Sequence, residues 1–260
     1  MMQLKIGIQL ASLRFPFQKA LHTAAELGAE AVEIDARGEI KPRDLTRTAV
    51  RQIRKMLDDL NLRVCAITFR TRRGYNVLDE LDTRMDATKE AMQFAYDLGA
   101  PIVVNQVGRV PSEPQGKDWD LLLQTLSDLG RHGQKVGALL AADTGSESGP
   151  DLKRLIEALP TGSIGVNFNP GNLIINGFSA SEAARCLGEY MLHVHARDGV
   201  RDLAIGRGLE VPLGRGVAEF PELLGILEER QYRGYFTIAR ENAQNPVHEI
   251  GQAVEYLRSI

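Results

Sequence analysis

Short apolar segments recur along the chain at intervals of about 30 residues. Each is only a few residues long and almost continuously hydrophobic, which is typical of strands buried on both faces of a parallel sheet. The pattern predicts eight strands: Lys5–Leu10, Ala31–Asp35, Arg63–Phe69, Ile102–Asn105, Ala138–Ala142, Gly165–Phe168, Met191–His195 and Tyr235–Ile238.

The segments between these strands carry apolar residues at the helical period. Gly28, Gly99, Gly137 and Gly188 fall where the helices should end, because glycine readily adopts the conformation that closes a helix. A strand followed by a helix, eight times over, predicts a (β/α)8 TIM barrel in a single α/β domain spanning residues 1–260. The predicted helices are Phe17–Leu27, Leu45–Leu60, Leu78–Leu98, Trp119–Val136, Asp151–Leu159, Ala180–Tyr190, Phe220–Glu229 and Pro246–Leu257.

A doubly wound open sheet is the alternative reading of the same alternation. Such a sheet usually carries a glycine-rich phosphate-binding turn after its first strand. The residues at that place here, Gln9 to Ser12, contain no glycine. The sequence therefore favours the closed barrel.

Composition narrows the class of partner. Charged residues make up 25% of the chain and the formal net charge is −3, so no basic surface for nucleic acid or anionic lipid stands out. The first ten residues lack the apolar core of a signal peptide, and no apolar run is long enough to span a membrane. We expect a cytoplasmic protein with a small-molecule partner and without nucleic-acid or membrane binding.

Polar side chains concentrate where the predicted strands end. The carboxyl ends of TIM-barrel strands carry the chemistry, and a polar group left buried and unpaired costs about 1–3 kcal/mol. A convergent polar ring therefore predicts a hydroxylated, sugar-like ligand, or a metal, at the mouth. The ring consists of Gln9, Glu33, Asp35, Arg70, Asn105, Gln106, Asp143, Asn167, Asn169, His193, His195, Arg240 and Glu241.

Two further features leave alternatives open. His193 and His195 lie two apart and point to the same side of a strand, where they could ligate a divalent metal or simply hydrogen-bond inside the barrel. The glycine-rich stretch 206–216, with Arg207 and Arg215, could bind a phosphate or form a flexible loop.

Four segments resemble the xylose isomerase-like barrels, a family that includes sugar phosphate isomerases and epimerases, hydroxypyruvate isomerase, inosose dehydratase and endonuclease IV. The resemblance spans the whole chain. Endonuclease IV fits poorly, because its trinuclear zinc site needs many histidines and this chain has five. The segments that carry the resemblance are Ala142–Gly145, Asn167–Leu173, His193–Asp198 and Ile238–Glu241.

The resemblance implies four metal-ligand positions, which in the family are Glu, Asp, His and Glu. Here they are Asp143, Asn169, His195 and Ala239, so only the histidine is kept. The loss of negative charge predicts weak binding of a divalent metal (Mn, Co, Mg or Zn), or none, at Asp143, Asn169 and His195. Glu241, two residues beyond Ala239, is a candidate substitute.

The resemblance also implies a sugar or sugar-phosphate isomerase or epimerase that moves a proton next to a carbonyl. Asp143 would be the base, and Glu241 is the second candidate catalytic residue. The alternative is a catalytically degenerate barrel that retains a sugar or polyol without metal or turnover; a purely structural subunit is a third reading, which the polar mouth opposes. Barrels of this kind tend to pair, so a homodimer stays open. The implied substrate-binding residues are Glu33, Arg70, Asn105, Gln106, Asn172, His193, Arg197 and Arg240.

Overall fold

The computed structural model of the chain describes residues 4–38, 40–202 and 207–260. The described strands are β1 (Lys5–Gln9), β2 (Ala31–Asp35), β3 (Arg63–Thr68), β4 (Ile102–Asn105), β5 (Leu139–Asp143), β6 (Ile164–Phe168), β7 (Met191–Ala196), β8 (Asp198–Val200), β9 (Leu209–Val211) and β10 (Tyr235–Ile238). Eight of them are parallel and close into a barrel in the order β1-β10-β7-β6-β5-β4-β3-β2. The predicted TIM barrel is therefore confirmed.

Helices surround the barrel and bury one apolar face each against the strands. The last of them shows why: Asn245 caps its first turn, Pro246 begins it, and Ile250, Val254 and Leu257 lie on its buried side. The helices are α1 (Phe17–Glu26), α2 (Arg47–Asp59), α3 (Leu81–Asp97), α4 (Lys117–Val136), α5 (Gly149–Ala158), α6 (Pro170–Ile175), α7 (Ala180–Leu187), α8 (Phe220–Glu229) and α9 (Pro246–Ser259). None of the described helices is long and apolar enough to cross a membrane.

The structure adds elements that periodicity does not predict. The short helix α6 follows β6 directly, with the Asn169 side chain accepting from the Asn172 N–H as a cap. Strands β8 and β9 form a separate antiparallel hairpin after β7. Helix α3 begins at Leu81 rather than at the predicted Leu78, because Glu80 has φ 53°, outside the helical region.

A buried carboxylate anchors the hairpin and the loop after it. Asp198 accepts hydrogen bonds from the backbone N–H groups of Gly199, Gly214, Gly216 and Ala218 at 2.8–3.1 Å. The described part of the predicted glycine-rich stretch is thus held onto the end of β7; Gly206 lies outside the described residues. In this way the hairpin is fixed at the same barrel end as the polar ring.

Candidate active site

Asp143 lies at the carboxyl end of β5, and its carboxylate is enclosed by side-chain amides. Oδ1 accepts from Asn167 Nδ2 at 2.7 Å and from Asn169 Nδ2 at 3.2 Å, and Oδ2 accepts from Asn172 Nδ2 at 3.2 Å. The side chain is almost completely buried. Three amide donors on two oxygens fix the plane of the carboxylate, which is the preorganisation that a general base requires.

Close backbone packing places one of these amides. Gly145 has φ +128°, and a Cβ there would lie 2.6 Å from the Asn172 Cβ. Because the left-handed φ and the close contact both exclude a side chain, only glycine fits at this turn. The loop after β5 therefore approaches α6 closely enough for Asn172 to reach Asp143.

His195, on β7, joins Asp143 to a second carboxylate. Its Nδ1 lies 2.9 Å from Asn167 Nδ2, and its Nε2 lies 2.6 Å from Glu33 Oε2. Asn167 already donates to Asp143 through the same nitrogen, so this amide also donates to Nδ1. Nδ1 is thus the acceptor, and Nε2 carries the proton that is donated to Glu33.

Glu33 is completely buried at the centre of the barrel. Its Oε1 accepts from Gln9 Nε2 at 2.7 Å and from the Thr68 hydroxyl, and His193 Nε2 lies 3.3 Å from Oε2. Burial alone would raise the pKa of Glu33, but the two imidazoles outweigh it and hold this pKa well below its usual range. Burial also lowers the pKa of His193, which favours a neutral imidazole.

A layer of charged residues covers these groups on the mouth side. Arg70 Nη1 pairs with Glu241 Oε1 at 2.5 Å, and Arg197 Nη1 approaches the same oxygen at 3.3 Å. Burial raises the pKa of Glu241, but Arg197 and Arg70 outweigh it, so that this pKa lies below its ordinary value. Glu241 is therefore an ion-paired carboxylate and a weak base in this arrangement.

Arg197 and Arg240 are joined by a glutamate that sequence reasoning missed. Glu210, on β9, binds Arg197 Nη2 at 2.9 Å and Arg240 Nη1 at 2.6 Å, and Arg240 Nε also pairs with Glu249 at 2.8 Å. Both guanidiniums therefore hold the hairpin against the strand ends. Glu210 has no sequence signal, because it lies in a short strand that no periodicity marks.

The remaining predicted residues lie at the same end of the barrel but differ in their partners. Asn105 is buried and donates to the Tyr75 hydroxyl at 2.7 Å, while its Oδ1 accepts from the Thr71 N–H at 3.0 Å. Gln106, directly after β4, is exposed. The roles of both in substrate binding stay predictions.

A cleft of about 410 Å³ opens over the charged layer. Gln9 and Thr68, which contact Glu33, line it together with Arg70 and Glu241. Asp143 does not line it. The cleft therefore opens on the Glu33 side of the polar network.

A sequence model of the xylose isomerase-like TIM barrel family matches residues 21–260, which include Glu33, Asp143 and His195. The chain belongs to this family. An inosose dehydratase of Bacillus thuringiensis (strain Al Hakam) is 24% identical over 242 residues, covering 79% of each chain.

Solved structures agree with this assignment. A xylose isomerase domain protein from Planctomyces limnophilus is 26% identical, with a TM-score of 0.87 and coverage of 98% of this chain and 96% of that one. The 3-keto-D-glucoside 4-epimerase of E. coli is 17% identical, with a TM-score of 0.77 and coverage of 99% and 100%. At that identity the second likeness concerns the fold alone.

The metal-ligand positions implied by the family do not form a complete donor set in this xylose isomerase-like barrel. Asp143 already accepts three amide N–H groups, and Asn169 Oδ1 accepts the Asn172 N–H. Ala239, 2% exposed, offers only a methyl group at the fourth position. Because the oxygens of Asp143 and Asn169 already accept N–H groups and the fourth ligand is missing, these residues do not fit a divalent ion held in the family's manner.

A different trio could hold a metal. The ligand atoms of Glu33, His193 and His195 all lie within 4.8 Å of one another. One carboxylate and two imidazoles are ligands that suit zinc and related ions. Binding there would displace the proton that His195 donates to Glu33, so it would compete with the hydrogen bond that joins β2 to β7.

Proposed function

We propose that the protein binds a small polyhydroxylated carbonyl compound, a sugar or sugar phosphate, at the barrel mouth and moves a proton at the carbon next to the carbonyl. The observation that carries this proposal is the Asp143 carboxylate, buried, fixed by three amides and adjacent to His195. Family membership supports a sugar-modifying activity. The names of the dehydratase and the epimerase, both similar to this chain, support the same class.

The chain's own residues would suffice for a one-base isomerisation. Asp143 removes the proton from the carbon next to the carbonyl, and the electron pair of that C–H bond gives an enediolate with its negative charge on the carbonyl oxygen. The hydroxyl proton of the first carbon passes to that oxygen, so that a new carbonyl forms at the first carbon, and the same carboxyl returns its proton to the former carbonyl carbon. The positive charge of Arg70 interacts electrostatically with the carboxylates of both Asp143 and Glu33. Its guanidinium would stabilise the negative oxygen of the enediolate. Epimerisation and dehydration of a keto sugar begin with the same proton removal.

We expect Asp143→Asn to reduce proton transfer at least about 100-fold, since a positioned general base contributes about 10²–10⁴. The measurement is deuterium incorporation from D2O, followed by NMR, across a panel of ketoses, aldoses and their phosphates. Asp86→Asn, an exposed aspartate on α3, is the matched control and should keep the parent rate. The proposal would be contradicted if the parent protein incorporated deuterium into none of these compounds, or if Asp143→Asn incorporated it as fast as the parent.

A second candidate function is binding without turnover, and Ala239 is the observation that favours it. If the site has lost its metal, restoring the family's ligands should restore metal affinity. We expect the Asp143→Glu, Asn169→Asp, Ala239→Glu triple variant to bind Mn²⁺ at least about tenfold more tightly than the parent by calorimetry.

The double variant Asp143→Glu, Asn169→Asp is the matched control for that experiment, because it still lacks the fourth ligand. It should bind Mn²⁺ less tightly than the triple variant. A parent protein that already binds Mn²⁺ as tightly as the triple variant would rule out a lost metal site.

A further inference from the structure

A second cleft, of about 670 Å³, lies beside the mouth between the loops that follow β2 and β3 and helix α3. Three acidic residues line it, Asp44, Glu80 and Glu90, against six basic ones. Its lining therefore carries an excess of positive charge, although the chain as a whole is slightly acidic. The basic residues are Arg37, Lys41, Arg43, Arg72, Arg73 and Arg84.

Only part of this positive charge is neutralised within the protein. Arg43 pairs with Glu90 at 3.2 Å, and Arg73 pairs with Asp79. Neither Lys41 nor Arg72 forms an ion pair with any of the described residues. Their charges are therefore available to an anion that enters the cleft.

Arg37 is held in place without losing its charge. Its backbone N–H donates to Asp35 Oδ1 at 2.8 Å, its Nη1 donates to the Arg70 carbonyl oxygen at 2.6 Å, and its guanidinium lies 5.6 Å from the centre of the Phe69 ring. Among the described residues, no carboxylate forms an ion pair with Arg37. A fixed guanidinium with free donors binds an anion at a lower entropic cost than a mobile one.

The basic cleft is continuous with the mouth. Arg37 and Arg72 line both cavities, and the Arg70 carbonyl that holds Arg37 belongs to the residue whose guanidinium covers the site. A molecule with its hydroxylated end at the mouth could therefore extend an acidic end between these two arginines.

We propose that the substrate carries an anionic group, a phosphate ester or a carboxylate, that binds between Arg37 and Arg72 while its sugar part occupies the mouth. This inference rests on the proposed function for the sugar end and on the basic cleft for the acidic end. It names the substrate class as a sugar acid or sugar phosphate rather than a neutral sugar.

The test compares matched probes by calorimetry: D-fructose, D-fructose 6-phosphate, D-fructuronate and inorganic phosphate. We expect the parent to bind one of the anionic sugars at least about tenfold more tightly than D-fructose. Whichever anionic sugar binds better identifies the group as phosphate or carboxylate. The double variant Arg37→Met, Arg72→Met should lose the preference for the anionic sugar over D-fructose and should no longer bind inorganic phosphate. Arg72→Met alone should weaken both. Arg131→Met, Lys135→Met on α4 removes the same charge elsewhere and should keep both.

Equal affinity for D-fructose and both anionic sugars would overturn the proposal, as would a preference that survives in Arg37→Met, Arg72→Met. Phosphate binding that this double variant retains would mark an adventitious ion only. If no sugar binds but the double variant abolishes phosphate binding, the cleft is confirmed as an anion site and the proposed function is what fails. If D-fructose is isomerised and phosphate is ignored, the proposed function stands and the anion site falls.

Discussion

Replacing Glu33 with alanine should lower the free energy of unfolding by about 3 kcal/mol or more at pH 7, because three buried donors lose their acceptor at about 1–3 kcal/mol each. The side chain accepts from Gln9, Thr68 and His195 in the middle of the barrel. Without Glu33 these largely buried donors lose their common acceptor. Urea denaturation measures the loss.

Glu255→Ala is the control, because Glu255 is an exposed glutamate on α9. It should change the free energy of unfolding by less than about 0.5 kcal/mol. A loss below about 1 kcal/mol in Glu33→Ala would show that the carboxylate is dispensable to the barrel.

The contribution of Glu33 should also depend on pH. Its pKa in the folded protein is well below the ordinary 4.5, so the unfolded chain takes up a proton first as the pH falls. The stabilisation is thus fully present above about pH 4.5 and is lost as the pH falls further, toward the folded-state pKa. The difference in stability between the parent and Glu33→Ala should accordingly narrow on acidification and stay constant from pH 6 upward.

Glu147→Gln should have the opposite effect and stabilise the protein. Glu147 is buried in the loop after β5, and its Oε2 has no hydrogen-bond partner within the described part of the chain. Burial, reinforced by the negative charge of Asp143, raises its pKa to about 8. The folded protein therefore carries a proton on this carboxyl at neutral pH, and glutamine reproduces that neutral state without the cost of taking up a proton.

The effect of Glu147→Gln depends on pH, because protonation of Glu147 is linked to folding. A raised pKa gives a contribution that is present below the unfolded pKa of about 4.5 and is lost as the pH rises through about 8. Each pH unit between these values costs about 1.4 kcal/mol, so the advantage of Glu147→Gln should grow from near zero at pH 4.5 to about 3 kcal/mol at pH 7.

Chemical denaturation at several pH values measures how the difference in the free energy of unfolding between variant and parent changes with pH. Glu228→Gln replaces an exposed glutamate on α8 and is the control; its difference from the parent should not change with pH. A Glu147→Gln variant that tracks the parent in stability from pH 5 to pH 8 would mean that the carboxyl is ionised in the folded protein.

The sequence determined the architecture. Apolar runs such as Ile102–Asn105 mark a strand because a parallel strand is buried on both faces, and the helical period between the runs leaves few ways to cover such a sheet. The polar residues at the strand ends are equally visible, and the closed barrel brings them to one end. Even the short helix α6 has a local signal in Asn169 and Pro170, although its length gives no periodicity.

Only the tertiary structure decided which of those polar groups meet. His195 and Glu33 lie 162 positions apart and are 2.6 Å from each other. Arg240 turns to Glu210 and Glu249, whereas Arg70 lies over the site with Glu241. The physical reason is that a period of two fixes the side of the strand on which a residue lies, whereas a hydrogen bond depends on register across the closed barrel and on side-chain rotamers. Those are set by the packing of distant strands, which local sequence does not encode.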